Sequence, residues 1–155
     1  MLYEPPRYDT RTIWISVDSY DRQVPAGRFF YPARGESSTF AGLTQLLLQM
    51  NACMDVENTP QAFHSVRTFF PLTAFEAETS GESALRYGKE LTFTEQVLYR
   101  RNSSWQGKLT WLEAGRTELF SSVLEFIHLL NSAMTDGSMT LRCAADSHQA
   151  LSKAE

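Results

Sequence analysis

Apolar residues recur along this chain with two periods, and the two periods alternate twice. Strand patterns, with alternating apolar and polar residues or a short aromatic run, cover residues 12–20, 27–31, 91–99 and 106–113. Two other segments, 42–54 and 122–136, repeat apolar residues every three or four positions, which is typical of a helix with one buried face. The pattern therefore predicts two strands and a helix, followed by two further strands and a second helix.

Each predicted helix gathers its apolar residues into a single stripe. The stripes consist of Leu43, Leu46, Leu47, Met50 and Met54 in the first helix, and of Val123, Phe126, Ile127, Leu130 and Met134 in the second. Ser122 and Glu125 fit a capping box at the start of the second helix, and Asp136-Gly137 ends it. Because a one-sided helix must bury its apolar face, both stripes indicate packing on a sheet.

The two helices and the strands before them are related by a constant offset of 80 residues. Subtracting 80 from Trp105–Met134 gives Pro25–Met54 without a gap. Identical pairs include Val17 with Val97, Gly27 with Gly107, Phe40 with Phe120, Asn51 with Asn131 and Met54 with Met134. Duplication of one supersecondary unit would leave this kind of match.

The fold class and the boundaries follow from that duplication. We expect an α+β fold of two β-β-α or β-β-β-α units related by a pseudo-twofold axis, with an antiparallel sheet and both helices on one face. In the second unit the third strand would be residues 117–120. The chain has the size of one domain, whose units cover about 12–71 and 91–136. Residues 72–90 are expected to be a linker, and 138–155 a loosely held tail.

Three features interrupt the regular pattern. Residues 61–71 have no counterpart in the second unit, and Thr59-Pro60 favours a short helix there that leads into a strand at about 66–70. Glu95 occupies a position where strand alternation requires an apolar residue. Gly107 lies inside a strand, which indicates close approach of another backbone or a bulge.

Composition and charge narrow the functional classes. The formal net charge is −4, so no global positive field favours nucleic acid or anionic lipid. The first residues lack an apolar signal region, no run approaches the roughly 20 apolar residues of a membrane span, and the two cysteines are expected to be reduced. We therefore expect a cytoplasmic protein. The sequence has neither metal-ligand spacing nor a phosphate-binding glycine loop nor a nucleophile motif, which argues against an enzyme and against a bound cofactor.

The second predicted hairpin carries a cluster of basic and aromatic residues. This candidate binding surface consists of Arg100, Arg101, Trp105, Lys108, Trp111 and Arg116. Such residues on a β-ribbon can contact a nucleic-acid groove or a single strand, which makes nucleic-acid binding the alternative function. Glu95, Glu113 and Glu118 lie among them, so a solvated sheet face of mixed charge explains the same residues.

A short motif lies at the turn of the same hairpin. Residues 102–107, NSSWQG, resemble the NxSxxG part of the cyclic-di-GMP signature of PilZ domains, and Arg7 and Arg11 match its RxxxR part. The arginine pair lies about 90 residues upstream, much farther than in a PilZ domain. A turn followed by a glycine-containing strand explains residues 102–107 equally well.

A longer pattern spans nearly the whole chain. It runs from GRFFYP and FxxLxQLLLxM through PQAF, an arginine and FFP to YRRNSSWQGxLTWLE and FSSVLEFIxLLNSAM. This pattern resembles a family of small bacterial proteins without an assigned activity, which implies a bacterial origin and no catalytic residues. We expect a non-enzymatic interaction or regulatory module that binds a protein partner or a second copy of itself, and no membrane.

Overall fold

The computed structural model describes residues 11–33, 35–62, 67–69 and 87–136. Its strands are β1 (Thr12–Asp21), β2 (Val24–Tyr31), β3 (Glu36–Ala41), β4 (Leu91–Tyr99), β5 (Gln106–Trp111) and β6 (Arg116–Phe120). Helix α1 (Leu43–Glu57) follows β3, and helix α2 (123–136) follows β6. The six strands form one antiparallel sheet in the order β3-β2-β1-β4-β5-β6, so the fold is α+β.

The central strands β1 and β4 join two three-stranded halves of the sheet. Their antiparallel pairing places Trp14 directly opposite Thr94. In the first half the β1–β2 register shifts after Val17, and in the second half the β4–β5 register shifts after Val97. A bulge of this kind bends the strand and increases its twist, so each half curves at the corresponding point of its first strand.

Both helices cover the same face of the sheet. A row of directly paired residues on that face consists of Ser38, Phe29, Ile15, Phe93 and Trp111. On the first half, Ser38 donates a hydrogen bond to the side chain of Gln49 on α1 (3.3 Å). On the second half, Phe120 packs against Phe126 of α2, with ring centroids 5.2 Å apart. We refer to the side covered by the helices as the helix face and to the other side as the open face.

The hydrophobic core lies between the helix face and the two helices. Its fully buried members are Ile13, Ile15, Val17 and Phe93 from the central strands, and Leu46, Met50, Met54, Phe126, Leu130 and Met134 from the helices. Burying one such side chain contributes roughly 1.5–3 kcal/mol. The predicted helix stripes therefore supply most of the helical side of this core.

Two glycines let neighbouring strands approach closely. A Cβ atom on Gly27 would lie 1.9 Å from the carbonyl oxygen of Ser16, and one on Gly107 would lie 2.1 Å from that of Gln96. No side chain fits at either distance, so both positions require glycine. The close approach that the sequence predicted at Gly107 is confirmed.

The C-terminal end of α1 and the N-terminal end of α2 are capped by local hydrogen bonds. Helix α1 begins one residue later than predicted and ends three residues later, at Glu57. Asn58 follows in the left-handed conformation, its N–H bonded to the carbonyl of Asp55, and Thr59 N–H bonds the carbonyl of Met54, which is the Schellman pattern. At the start of α2 the hydroxyl of Ser122 accepts the N–H of Glu125 (3.1 Å), which confirms this half of the predicted capping box, while the Glu125 carboxylate accepts a hydrogen bond from the hydroxyl of Ser121 (2.9 Å).

Two sequence-based assignments in the first unit need correction. The pattern predicted only a turn at 32–35, whereas β3 follows it as a third strand. Residues 59–62 are not helical and 67–69 are not in a strand, contrary to the prediction for 61–71. Instead, Ala62 forms an isolated bridge with Arg100, and the Arg100 side chain bonds the Pro60 carbonyl, so this stretch is held against the end of β4. Residues 63–66 and 70–71 lie outside the described residues.

The end of the predicted linker contacts the sheet. Glu90 N–H bonds the carbonyl of Val17 (3.0 Å), and Lys89 N–H bonds the carboxylate of Asp18 (3.2 Å). Residues 87–90 are therefore part of the folded unit, while 72–86 and the predicted tail at 138–155 lie outside the described residues. Within the described parts of the chain, no helix is long and apolar enough to cross a lipid bilayer.

Candidate functional site

Arg100, the first residue of the predicted binding surface, lies in the interior. It is 5% exposed. Its guanidinium donates hydrogen bonds to the carboxylate of Asp55 and to the carbonyls of Pro60 (2.6 Å) and Met54 (3.3 Å). These acceptors lie at and just after the C-terminal end of α1, where helix carbonyls lack partners and positive charge is favoured. Arg100 therefore has a structural role and is not available to bind a ligand.

Trp105 is also buried, and the remaining four residues are on different faces. The Trp105 ring packs against Phe126 with centroids 6.2 Å apart. Trp111 and Arg116 are paired in register and lie on the helix face, where both line a cavity described below. Lys108 pairs with Leu119 on the open face. The six residues therefore do not form one continuous surface.

The turn that resembles the PilZ motif has a structural explanation. Asn102 and Ser103 both adopt positive φ angles of 55°, and the side chain of Gln106 bonds the backbone N–H and carbonyl of Arg101 (both 2.9 Å). Gly107 is required by the backbone contact with Gln96. Arg7 lies outside the described residues, so the second part of the motif has no position here.

An exposed apolar patch lies on the open face, at β6 and the end of β4. Leu98 (40% exposed), Tyr99 (51%) and Leu119 (71%) line one shallow depression. Arg101 lies over the Tyr99 ring, 4.6 Å from its centroid. We call Leu98, Tyr99 and Leu119 the β6 patch. The sequence analysis missed this patch. A signal for it existed, because the residues 80 positions earlier, Asp18, Ser19 and Thr39, are all polar.

A second depression lies on the helix face, between α2 and the strands β4, β5 and β6. It is an open cavity of about 560 Å³. Its apolar wall consists of Phe93, Leu109, Trp111 and Leu129, and its polar rim includes Arg116, Glu118, Asn131 and Ser132. Arg116 and Glu118 form an exposed ion pair at 3.2 Å. The indole Nε1 of Trp111 is buried without a hydrogen-bond partner.

Glu95 is the most unusual charged residue of the sheet. Its side chain is fully buried on the helix face of β4, directly opposite Ile13 and Leu109. Neither carboxyl oxygen has a hydrogen-bond partner. Desolvation raises the pKa of Glu95 well above the ordinary value of 4.5. The interruption that the sequence pattern indicated at this position is thus a buried carboxyl group, and its burial favours the neutral form.

Neither similarity to known proteins nor a metal-binding cluster assigns a function to these surfaces. The chain matches no protein-family model, no curated protein and no solved structure. In the described ranges no group of three or more His, Cys, Asp and Glu side chains is placed to hold a metal ion. The β6 patch, the cavity and Glu95 are therefore the features on which a function can be argued.

Proposed function

We propose that this protein is a non-enzymatic interaction module whose second unit associates with a second copy of the chain along β6. The observation that carries the proposal is the β6 patch, which places three apolar side chains in solvent beside the edge strand of the sheet. Contiguous apolar surface of this kind marks interaction sites in soluble proteins. A bacterial origin and a cytoplasmic location remain predictions.

We infer further that the two units arose by duplication and are related by a pseudo-twofold axis near Trp14 and Thr94. The registers support this inference because most first-unit pairs recur 80 residues later, the exceptions being the end pairs Tyr20–Pro25, Asp21–Val24 and Ala26–Ala41. Examples are Val17–Gly27 with Val97–Gly107, and Gly27–Phe40 with Gly107–Phe120. The bulges after Val17 and Val97 obey the same offset.

The duplication makes the β6 patch informative. Corresponding positions of two units start with the same residues, so a difference at an exposed position reflects later divergence. On the first-unit edge strand β3, Thr39 corresponds to Leu119, and in the central strands Asp18 corresponds to Leu98. Selection for solubility alone would favour polar residues at both edges. The second unit departs from that expectation.

The sequence of β6 favours a second copy as the partner. In an antiparallel pair, directly opposite residues interact, and opposite charges stabilise the pair by roughly 0.2–1 kcal/mol. If Thr117 lies opposite Thr117 of a second copy, Arg116 of each chain faces Glu118 of the other. Leu119 then lies opposite Gly115 of the second copy, which has no side chain to obstruct it. The strand is therefore complementary to itself.

Exchange of the two charges tests this pairing. Arg116→Glu or Glu118→Arg alone would place like charges opposite each other and should convert a dimer into a monomer. The double variant Arg116→Glu/Glu118→Arg restores both opposite-charge pairs and should restore the dimer. Leu119→Thr, which introduces the residue of the first unit, should weaken association, whereas Thr39→Ser on the other edge should not.

Sedimentation velocity over a range of concentrations measures these outcomes. A wild-type monomer at about 1 mM would exclude association stronger than about 4 kcal/mol and would overturn the proposal. A dimer that persists in both single charge variants would overturn the proposed register. Failure of the double variant to recover would do the same, provided that its circular dichroism spectrum matches that of the wild type.

Nucleic-acid binding is the alternative function, and it has less support. Among the six predicted residues Arg100 and Trp105 are buried, and the exposed Arg116 is paired with Glu118. Arg101 and Lys108 remain as exposed cations of that set. A protein that contacts few phosphates should bind weakly and with a shallow dependence on salt. Steep salt-dependent binding to mixed DNA or RNA that Lys108→Ala reduces would favour this alternative.

A further inference from the structure

We propose that the open cavity beside α2 belongs to the interface between two copies of the chain, and that α2 packs there against α2 of the second copy. The helix contact rests on the self-association proposed above and adds a second layer to its strand contact. The cavity of about 560 Å³ opens between α2 and strands β4–β6, and its lining includes Arg116 and Glu118 of β6. The edge strand and the cavity therefore lie at the same border of the molecule.

One side of α2 faces this border. Leu129, Ser132 and Asp136 are spaced by three and four positions, so they form a single row along the helix. All three line the cavity together with Arg116 and Glu118. Since β6 is the last strand of the sheet, no further helix or strand of the described residues covers this row from the outside. We call Leu129, Ser132 and Asp136 the outer row of α2.

Pairing of β6 alone gives a small interface. The strand has five residues, and its length is about 17 Å. Specific interfaces bury roughly 1,200–2,000 Å² in total, and a biological interface should exceed about 1,000 Å². A single pair of short strands excludes water only from a strip one strand wide. A stable dimer therefore requires a second contact beside the strands, and α2 is the element next to β6 that can supply it.

The proposed strand pairing brings the two α2 helices together on one side of the sheet. Antiparallel strands that pair at Thr117 are related by a twofold axis perpendicular to the sheet, so both helix faces point the same way. The N-terminal half of α2 lies over β5 and β6, because Phe126 packs against Phe120 and against Trp105 just before β5. The equivalent place in the second copy is two strand spacings away, which is roughly 10 Å. Packed helices lie about 8–10 Å apart, so the two helices are in contact.

The twofold axis passes close to the middle of α2. The strand β6 and α2 run in opposite directions, since Phe120 packs against Phe126 at one end and Arg116 lines the cavity with Asp136 at the other. Thr117 is three residues from Phe120, which is about 10 Å along the strand. At a rise of about 1.5 Å per residue, the same distance along α2 leads about six or seven residues beyond Phe126.

Ser132 is the exposed residue nearest to the axis, because its neighbour Ala133 is buried in the core. Its small side chain lets two antiparallel helices approach each other closely. Leu129, three residues earlier, is half-buried at the cavity and adds an apolar contact. Asp136, four residues later, comes beside His128 of the second copy, and an imidazole can donate a hydrogen bond to a carboxylate. The outer row is thus complementary to the same helix of the second copy.

Cross-linking near the axis tests the helix contact. In a Cys53→Ala/Cys143→Ser background, Ser132→Cys should give a covalent dimer with bismaleimidoethane, a short bifunctional thiol reagent. Leu124→Cys places an exposed thiol about 12 Å farther along α2 and should give little cross-linking. Ala52→Cys is the matched control in the first unit, because Ala52 is the counterpart of Ser132. It should not cross-link, since β3 is not the paired edge.

A bulky charge at the same position measures how much the helix contact contributes. Ser132→Arg should weaken self-association by roughly tenfold, because an arginine at the crossing separates the helices. Leu124→Arg adds the same side chain at an exposed position away from the axis and should leave self-association unchanged. Sedimentation velocity gives the dissociation constants, and thermal melting of each variant identifies any loss of folding.

The outcomes separate the helix contact from the strand contact. A dimer that responds to charge exchange in β6, but neither cross-links through Ser132→Cys nor weakens in Ser132→Arg, would overturn the helix contact and leave the proposed function in place. Cross-linking through Ala52→Cys would move the interface to the first unit and overturn both. A wild-type monomer at about 1 mM would also overturn both.

Discussion

The two halves of the sheet share one backbone plan and differ in a few side chains that change what each half can do. In the first half, Ser38 and Gln49 form a hydrogen bond between sheet and helix, and Thr39 makes the edge polar. In the second half, Glu118 and Leu129 take these two positions and line a cavity, and Leu119 makes the edge apolar. Most strand pairs of the first half recur in the second half at an offset of 80 residues. The comparison teaches that function should be sought where the second half departs from the first.

The same comparison separates structural departures from functional ones. Arg100 replaces Tyr20 at the end of the first strand, and both reach across to the helix of the other half. The Tyr20 hydroxyl donates a hydrogen bond to Asn131 of α2 (3.0 Å), while Arg100 binds the end of α1. In both halves this residue contacts the helix of the other half, and Arg100 does so with more hydrogen bonds than Tyr20. Glu95 in place of Ile15 is different, because it weakens the core and has no compensating partner.

The largest expected effect comes from making the first half resemble the second at this position. Ile15→Glu would remove a fully buried apolar side chain and introduce a second carboxyl group without a partner at the centre of the core. We expect the free energy of unfolding to fall by about 4–5 kcal/mol at neutral pH, as measured by urea denaturation. Ile15→Val, which keeps the site apolar, should cost about 1 kcal/mol. Equal losses for the two variants would show that this position tolerates a carboxyl group.

The contrast between Arg100 and Tyr20 predicts a smaller effect. Arg100→Ala removes three hydrogen bonds from a buried guanidinium at the end of α1, and we expect a loss of about 3 kcal/mol. Tyr20→Phe removes one exposed hydrogen bond to Asn131 and should cost about 0.5–1 kcal/mol. Denaturation curves of the two variants under one set of conditions measure the difference. Similar losses would contradict the structural role assigned to Arg100.

Local patterns were sufficient to predict the helices and most strands, because periodicity depends on the side that each residue turns to the core. They missed β3 at residues 36–41, where Phe40 is flanked mainly by serine, threonine and alanine. That strand is held by its pairing with β2, a contact between residues that the pattern cannot identify. The offset of 80 from residues 117–120 was the available signal for it.

The candidate site was harder to predict than the fold. Arg100 and Trp105 lie beside polar residues in the sequence and were therefore expected at the surface. Their burial depends on α1 and on Phe126, which are distant along the chain. Leu119 illustrates the opposite case. It is an apolar strand residue that was not expected to be exposed, but it lies on the open face of the sheet and is in contact with solvent. Glu95 was recognised locally, since a charged residue in an apolar position is visible without any tertiary contact, and two of the predicted surface residues, Trp111 and Arg116, line the cavity.

The stability difference between wild type and Glu95 variants should depend on pH, and this is the smallest of the expected effects. Burial raises its pKa in the folded state, whereas the unfolded chain ionises near the ordinary value of 4.5. Below pH 4.5 the group is protonated in both states and contributes no pH dependence. As the pH rises above 4.5, the unfolded state loses the proton first, so the stability of the wild type falls relative to Glu95→Gln until the raised pKa is passed.

The advantage of Glu95→Gln should therefore be small at pH 4 and reach about 1 kcal/mol at pH 5.5, since one pH unit corresponds to about 1.4 kcal/mol. Glu95→Ile, which restores the residue type of the first half, should show the same pH dependence with a higher stability at every pH. Urea denaturation between pH 4 and 7 measures both differences. Parallel curves for wild type and Glu95→Gln would mean that the carboxyl group finds a partner or reaches water when it ionises. Divergent curves would show that the core of the second half is weakened at neutral pH around Glu95, which is paired with Leu109 and lies two residues after Phe93.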